Sequence, residues 1–459
     1  MLVACVISVM IFAGPTTVLA TLWSSNQRPL WQFSTYGKAT SVAISPDGSY
    51  VAVGVQTSYN PSIGQVLLLN KTGSVLWARN SATITAVAMT VDGSRIAASG
   101  VLTKAITSGP YVTLQQTGIV YYFDNDGNQL WNYSVPLHYV NYPGEWGPPM
   151  FKVMLSQDGT RVVVDTGTGT LVFDSLGRLL WSYTPNCTYT VCPWLTLASA
   201  NASFIVSIND QIHAFDGSGV SLWNSSSIPQ PILVNGVMSK DGKLLVLEWE
   251  NYFAANKQPT LILLDNTGVD LWNRTLSGVT SVLTMSSDDS AIVMSPGGRI
   301  ASIDPQSRLL WNSTHVPGNL MITTSNGSYT AAVVALSLGH NVLRILDSSG
   351  RTVWGYGDFG EVDALALSGD DSFLAIATGP YANYSGDSAT VVFLQGPKTL
   401  ATERGPIYSW FTFDPNTQDN PWLFVFPAVF ASAPLLYLLF RKIKENPHPQ
   451  ALAPSDSPD

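Results

Sequence analysis

The chain has 459 residues, with 22 Lys+Arg against 31 Asp+Glu and a net charge of −9. An acidic balance without a basic run in its repeated part points away from nucleic acid as a partner. Charged residues make up only 12% of the chain, so the wetted surface must be built from Ser, Thr, Asn and Gly, which suits an extracellular β protein better than a cytosolic enzyme.

The chain opens on an apolar stretch, residues 2–20, that finishes Val18-Leu19-Ala20. This small-residue stop predicts a signal peptide over 1–20. No Lys or Arg precedes the stretch, so an uncleaved N-terminal anchor is the alternative. From residue 24 to 400 one phrase recurs: a short apolar strand, a turn with Asp or Asn, then an apolar residue followed by Trp. It ends at Trp31, Trp77, Trp131, Trp181, Trp223, Trp272, Trp311 and Trp354. Between these tryptophans lie apolar hairpins around Asp-Gly or its variants, such as Ser41 to Gly54 and Ala86 to Gly100. A period of about 40–50 residues built from short strands is the mark of a β-propeller. The expected fold is all-β, an eight-bladed propeller over 24–400, with seven blades as the alternative. Each blade reads as inner strand A, tight turn, strand B, loop, strand C, tight turn, outer strand D. Leu30-Trp31 has no A–C strands before it, so it is expected to supply strand D of the last blade and close the ring.

The eight tryptophans are expected to pack between blades, each burying roughly 150–250 Å². Connections A–B and C–D are short, whereas the B–C and D–A connections are long at 56–64, 101–118, 136–149, 184–194, 250–258 and 379–388. In an up-and-down blade these long connections leave from one face. They carry Tyr59, Tyr111, Tyr139, Tyr142, Trp146, Tyr189, Trp194, Tyr252, Phe253, Tyr381 and Tyr384. Amphipathic aromatics on a rigid scaffold form recognition surfaces, and Trp146 and Tyr252 lead this set. Mutual packing that orders the loops is the competing reading. The same face holds Cys187 and Cys192, spaced for a local disulfide in an oxidising compartment.

N-glycosylation sequons include Asn70 and four that begin immediately after a motif Trp: Asn132, Asn224, Asn273 and Asn312. Strand alternation turns those four away from the Trp side. Glu248 and Glu250, flanking Trp249, read as solvated residues rather than an acid–base pair, and Asp124 to Asn128 reads as a hairpin turn rather than a calcium loop. Residues 401–421 form a stalk. Trp422 to Phe440 is an uncharged span long enough for about 30 Å of hydrocarbon, and Arg441-Lys442-Ile443-Lys444 follows it. Positive charge favours the cytoplasmic side, so 441–459 is expected inside and the propeller outside.

The Trp-ended units resemble the PQQ-like (quinoprotein-type) propeller family, and Ser45-Pro46-Asp47-Gly48 resembles the WD40-type inner hairpin. The resemblance implies either a quinone-dependent dehydrogenase or a non-enzymatic scaffold. The redox members carry a disulfide between adjacent cysteines, which this chain lacks. No catalytic set is visible, and no cofactor and no metal are expected. The expectation is therefore a membrane-anchored extracellular module that binds a surface protein or glycan. A surface quinoprotein-like oxidoreductase, or another envelope enzyme on the same ring, is the alternative.

Overall fold

The computed structural model describes residues 29–402, except 60–61, 109–110, 138–150, 185–194, 210, 226–230, 252–257, 279, 314–317, 338–339 and 380–388. The chain divides into a unit over Met1–Gly405 and a second over Pro406–Asp459, the latter outside the described residues. The described residues of the first unit form eight four-stranded antiparallel sheets, each a blade. Blade 1 runs through strands A to D as Lys38–Ile44, Tyr50–Tyr59, Ser62–Asn70 and Val75–Ser81. The inner strands of blades 2 to 8 are Thr83–Met89, Lys152–Leu155, Leu195–Ala198, Pro231–Met238, Thr280–Met285, Gly318–Thr323 and Val362–Leu367.

The ring closes as the orphan tryptophan suggested. Trp31–Thr35 pairs antiparallel with Ala389–Gln395, Trp31 opposite Phe393 and Thr35 opposite Ala389. The last blade thus takes strand D from the front of the chain and strands A to C from its far end. Closure does not remove every sheet edge. Each blade keeps strand D as an outer edge, so the rim carries eight open edges.

Eight apolar clusters fill the eight seams between neighbouring blades. The tryptophans lock these seams through one repeated contact. Indole Nε1 donates to a carbonyl in the C–D turn of the next blade: Trp31 to Lys71, Trp77 to Asn125, Trp131 to Ser175, Trp181 to Gly217, Trp223 to Asn266 and Trp272 to Pro305, at 2.7–3.3 Å. A glycine of the same turn lies on the ring. A Cβ at Gly73, Gly127, Gly177, Gly219, Gly268 or Gly350 would come within 2.5–2.8 Å of the indole of Trp31, Trp77, Trp131, Trp181, Trp223 or Trp311. These glycines also have positive φ, which other residues adopt at a cost. In the sixth blade Ser307 holds the equivalent conformation at φ 63.

Trp311 has the glycine contact, whereas Trp354 has neither contact. Its Nε1 is buried and has no partner among the described residues. The neighbouring blade is the one completed by the N-terminal strand, so it has no C–D turn to offer a carbonyl. The short helix Pro397–Thr402 follows its strand C instead, and Leu400 joins the apolar cluster that contains Trp354.

Two local devices make the turns. In all eight A–B turns a Ser or Thr hydroxyl donates to an Asp or Asn two residues on and accepts the N–H five residues on. In blade 1, Ser45 Oγ donates to Asp47 at 2.8 Å and accepts Tyr50 N–H at 2.9 Å. The fourth turn residue has positive φ throughout: Gly48, Gly93, Gly159, Ala202, Gly242, Asp289, Gly327 and Asp371. In the C–D turns Asn70, Asp124, Asp174, Asp216, Asp265, Asp304 and Asp347 each accept two backbone N–H groups. Asp124 to Asn128 is therefore a hairpin turn of this common kind.

Candidate functional site

The A–B and C–D turns share one face, which their own side chains seal with hydrogen bonds. Around the central opening neighbouring A–B turns are also tied backbone to backbone, Val91 N–H to Gln157, Gln157 N–H to Ala200 and Ala200 N–H to Lys240, at 2.8–3.0 Å. A cavity of about 430 Å³ opens there, lined mainly by apolar side chains such as Ile44, Met89, Val91 and Leu367, with Lys240 as its cation.

The opposite face carries the B–C and D–A connections, and here the structure corrects part of the expectation. Residues 101–108 and 111–118 do not form a loop. Strands B and C of blade 2 run on as a ribbon, Arg95–Ser108 and Tyr111–Asp124, in continuous register to Ser108 opposite Tyr111. Tyr111 therefore begins a strand. Tyr59 likewise ends strand B of blade 1, paired with Ser62. Thr, Val, Ile and Tyr, residue types of high strand preference, recur through this segment, and the tryptophan period does not separate a long connection from two longer strands. Tyr139, Tyr142, Trp146, Tyr189, Trp194, Tyr252, Phe253, Tyr381 and Tyr384 lie outside the described residues, as do Cys187 and Cys192.

At this face the first and last blades meet in a charged cluster that sequence reading did not single out. Lys38 Nζ stands 2.9 Å from Asp363 and 3.0 Å from Glu361. Lys38 and Asp363 both lie at the start of an inner strand, on either side of the closing seam. Burial pushes the Asp363 carboxyl up, even against the attraction of Lys38. Burial alone would lower the Lys38 ammonium, but its bonds to Asp363 and Glu361 outweigh that and hold it above the ordinary value. More than three hundred residues separate the partners in sequence, so no local spacing signalled them.

Glu248 also departs from expectation. It is fully buried, not solvated, and accepts the Thr280 N–H of the next blade at 2.7 Å. Asp165 does the same for Thr196 N–H at 2.9 Å, and burial raises its pKa. These carboxylates join blades. The backbone amide they satisfy belongs to another repeat, which explains why neighbouring residues gave no hint. Among the described residues no group of three or more His, Cys, Asp or Glu could hold a metal ion. Among them no helix is long and apolar enough to cross a membrane, and 422–440 lies outside them.

The family model described as outer membrane protein assembly factor BamB, of the PQQ-like repeat type, matches residues 116–251 and 209–364. Together these cover more than half of the chain. The chain belongs to this PQQ-like propeller family. Curated proteins give no match. Among solved structures, one described as a eukaryotic initiation factor is similar at 11% identity and TM-score 0.48, covering 79% of this chain and 88% of that one. The β-propeller domain of Cps50 (Swd1) from Myceliophteria thermophila is similar at 14% identity and TM-score 0.47, covering 79% and 98%.

Proposed function

We propose that this PQQ-like propeller is a binding and scaffold module held on the outer side of a membrane, and that it recognises a surface protein or glycan through the face of its B–C and D–A connections. One observation carries the reading. The A–B and C–D face spends its turn side chains on internal hydrogen bonds, whereas the opposite face projects a ribbon that reaches Ser108 and Tyr111. Rigid scaffolds place recognition on such elaborated ends. The described role of the matching family, an assembly factor, favours a protein as the partner.

Anchoring rests on the sequence, on the uncharged residues 422–440 and the basic stop behind them. The signal-like residues 1–20 and the Cys187/Cys192 spacing agree with an oxidising exterior. The reading gives the aromatic side chains of the long connections the energetic centre of the interface.

The test is capture of co-purifying surface components by the detergent-solubilised full chain, compared with a Trp146→Ala/Tyr252→Ala variant. The reading expects the variant to fold, by its tryptophan fluorescence, and to lose its partner. Retention of the partner at the original yield contradicts it.

A further inference from the structure

The rim has a feature that neither the tryptophan locks nor the binding face requires. The residue before each motif tryptophan is Leu30, Leu76, Leu130, Leu180, Leu222, Leu271, Leu310 or Val353, and all eight are 38–50% exposed. Single exposed leucines are ordinary. For seven of these eight the backbone geometry supplies the cause. In each of the seven C–D pairs the register shifts just before the tryptophan, as where Trp131 faces Tyr122 but Gln129 faces Phe123. The leucine or valine is the extra residue of this bulge, leaves the ladder and turns outward. It sits on strand D, whose outer edge is open. An apolar side chain beside an unpaired strand edge is a template for association with another chain.

In four blades the next outward residue is Asn132, Asn224, Asn273 or Asn312, each exposed and each opening a sequon. Among the described residues the Asn132, Asn224 and Asn312 side chains make no hydrogen bond. Asn273 makes one exposed bond, to Asp270 at 3.2 Å. Asparagine and leucine are two residues apart on the strand, roughly 6.6 Å at about 3.3 Å per residue. That is well within the reach of a core oligosaccharide.

We infer that N-linked glycans on Asn132, Asn224, Asn273 and Asn312 cover the outer strands of blades 2, 4, 5 and 6, shielding Leu130, Leu222, Leu271 and Leu310 and blocking their edges. The inference rests on the exterior placement proposed above. Asn70 stands apart from this set. Its side-chain oxygen caps a C–D turn by accepting Thr72 and Ser74 N–H groups. Blades 7, 8 and 1 are consecutive in the ring, and their motif tryptophans are followed by Gly355, Gln32 and Ala78. They form a bare arc with the same exposed residues, Val353, Leu30 and Leu76, and supply an internal control.

The full chain is produced in a host that N-glycosylates secreted proteins, reached from outside with a membrane-impermeant label, and mapped for glycan by mass spectrometry. It is then compared by sedimentation velocity in detergent with an Asn132→Gln/Asn224→Gln/Asn273→Gln/Asn312→Gln variant. The same folded protein is also stripped by an endoglycosidase, which keeps the test valid if the variant fails to fold. The inference expects sugar at the four sites and a shift from monomer to larger species in both stripped forms. It also expects Leu130→Ser/Leu222→Ser/Leu271→Ser/Leu310→Ser to reverse that shift and Leu30→Ser/Leu76→Ser not to. Unoccupied sites on a labelled chain, or a stripped protein that stays monomeric, overturn it and leave the exterior placement intact. A chain that the label does not reach overturns the exterior placement as well.

Discussion

Gly127 and Gly298 share a backbone conformation, φ +80 and +79, but not a neighbourhood. A Cβ on Gly127 would lie 2.6 Å from the Trp77 indole, whereas one on Gly298 meets nothing within 4 Å. Gly298→Ala should therefore pay for conformation alone, about 1 kcal/mol. Gly127→Ala adds a forced displacement of a packed indole and should cost about 2–4 kcal/mol. Denaturant titration of both variants measures the difference, and equal losses would refute the ring-on-glycine contact as the reason for glycine. The tryptophans allow a second comparison. Trp77 Nε1 donates to Asn125 at 2.9 Å, while Trp354 Nε1 is buried without a partner among the described residues. Replacing Trp354 by Phe removes an unsatisfied donor as well as some volume, so it should cost at least about 1 kcal/mol less than Trp77→Phe. An equal or larger loss at Trp354 would show that its indole has a role the closing blade does not reveal.

At the scale of the strand and turn, the sequence was most informative where the cause is local. Asp-Gly between apolar runs marks a hairpin because the turn needs positive φ and a capping side chain within a few residues. Turns without glycine, Asn201-Ala202 and Asp370-Asp371, take the same form, since the Ser or Thr two residues before the cap makes the same bonds. What joins blades was not legible in this way. Glu248 meets Thr280, and Lys38 meets Asp363, only after the ring forms. The blade 2 ribbon departs from the expected loop because a long connection and two extended strands have the same length in sequence.

The turns also predict an acid response. Hydrogen bonds from Ser49, Thr90, Ser156 and Thr267 hold the carboxyls of Asp47, Asp92, Asp158 and Asp265 below the ordinary carboxylate value. A pKa lower in the folded than in the unfolded chain gives stabilisation that is complete above the unfolded value, about 3.9. That stabilisation is lost as pH falls through the lower folded value. Urea unfolding at pH 7, 4 and 3 should show a midpoint that drops mainly below about pH 4. Asp47→Asn in the first turn should reduce that drop. A midpoint independent of pH in this range would contradict the role given to the turn carboxylates. Asp165 has the opposite sign, because burial raises its pKa, and it opposes the trend slightly as pH falls.

At the scale of the whole molecule, the two faces and the rim follow from one arrangement. Four-stranded blades with tight A–B and C–D turns place every other connection on the opposite side, and a ring keeps those connections in a fixed circle. Placing a partner's contacts on that circle depends on closure, since an open ring would let blades 1 and 8 part and carry Lys38 away from Asp363. Closure is in turn the property of five residues, Trp31–Thr35, paired with a strand from the other end of the chain. Ser34 lies opposite Thr390 in that pairing, and Cα atoms of directly paired residues stand about 4.5–5.5 Å apart, within disulfide range. Oxidation of a Ser34→Cys/Thr390→Cys variant, followed by proteolysis and mass spectrometry, tests the arrangement directly. The closed eight-bladed ring predicts a disulfide-linked peptide pair from the two ends of the chain. A folded protein whose two new thiols remain unlinked to each other would contradict it.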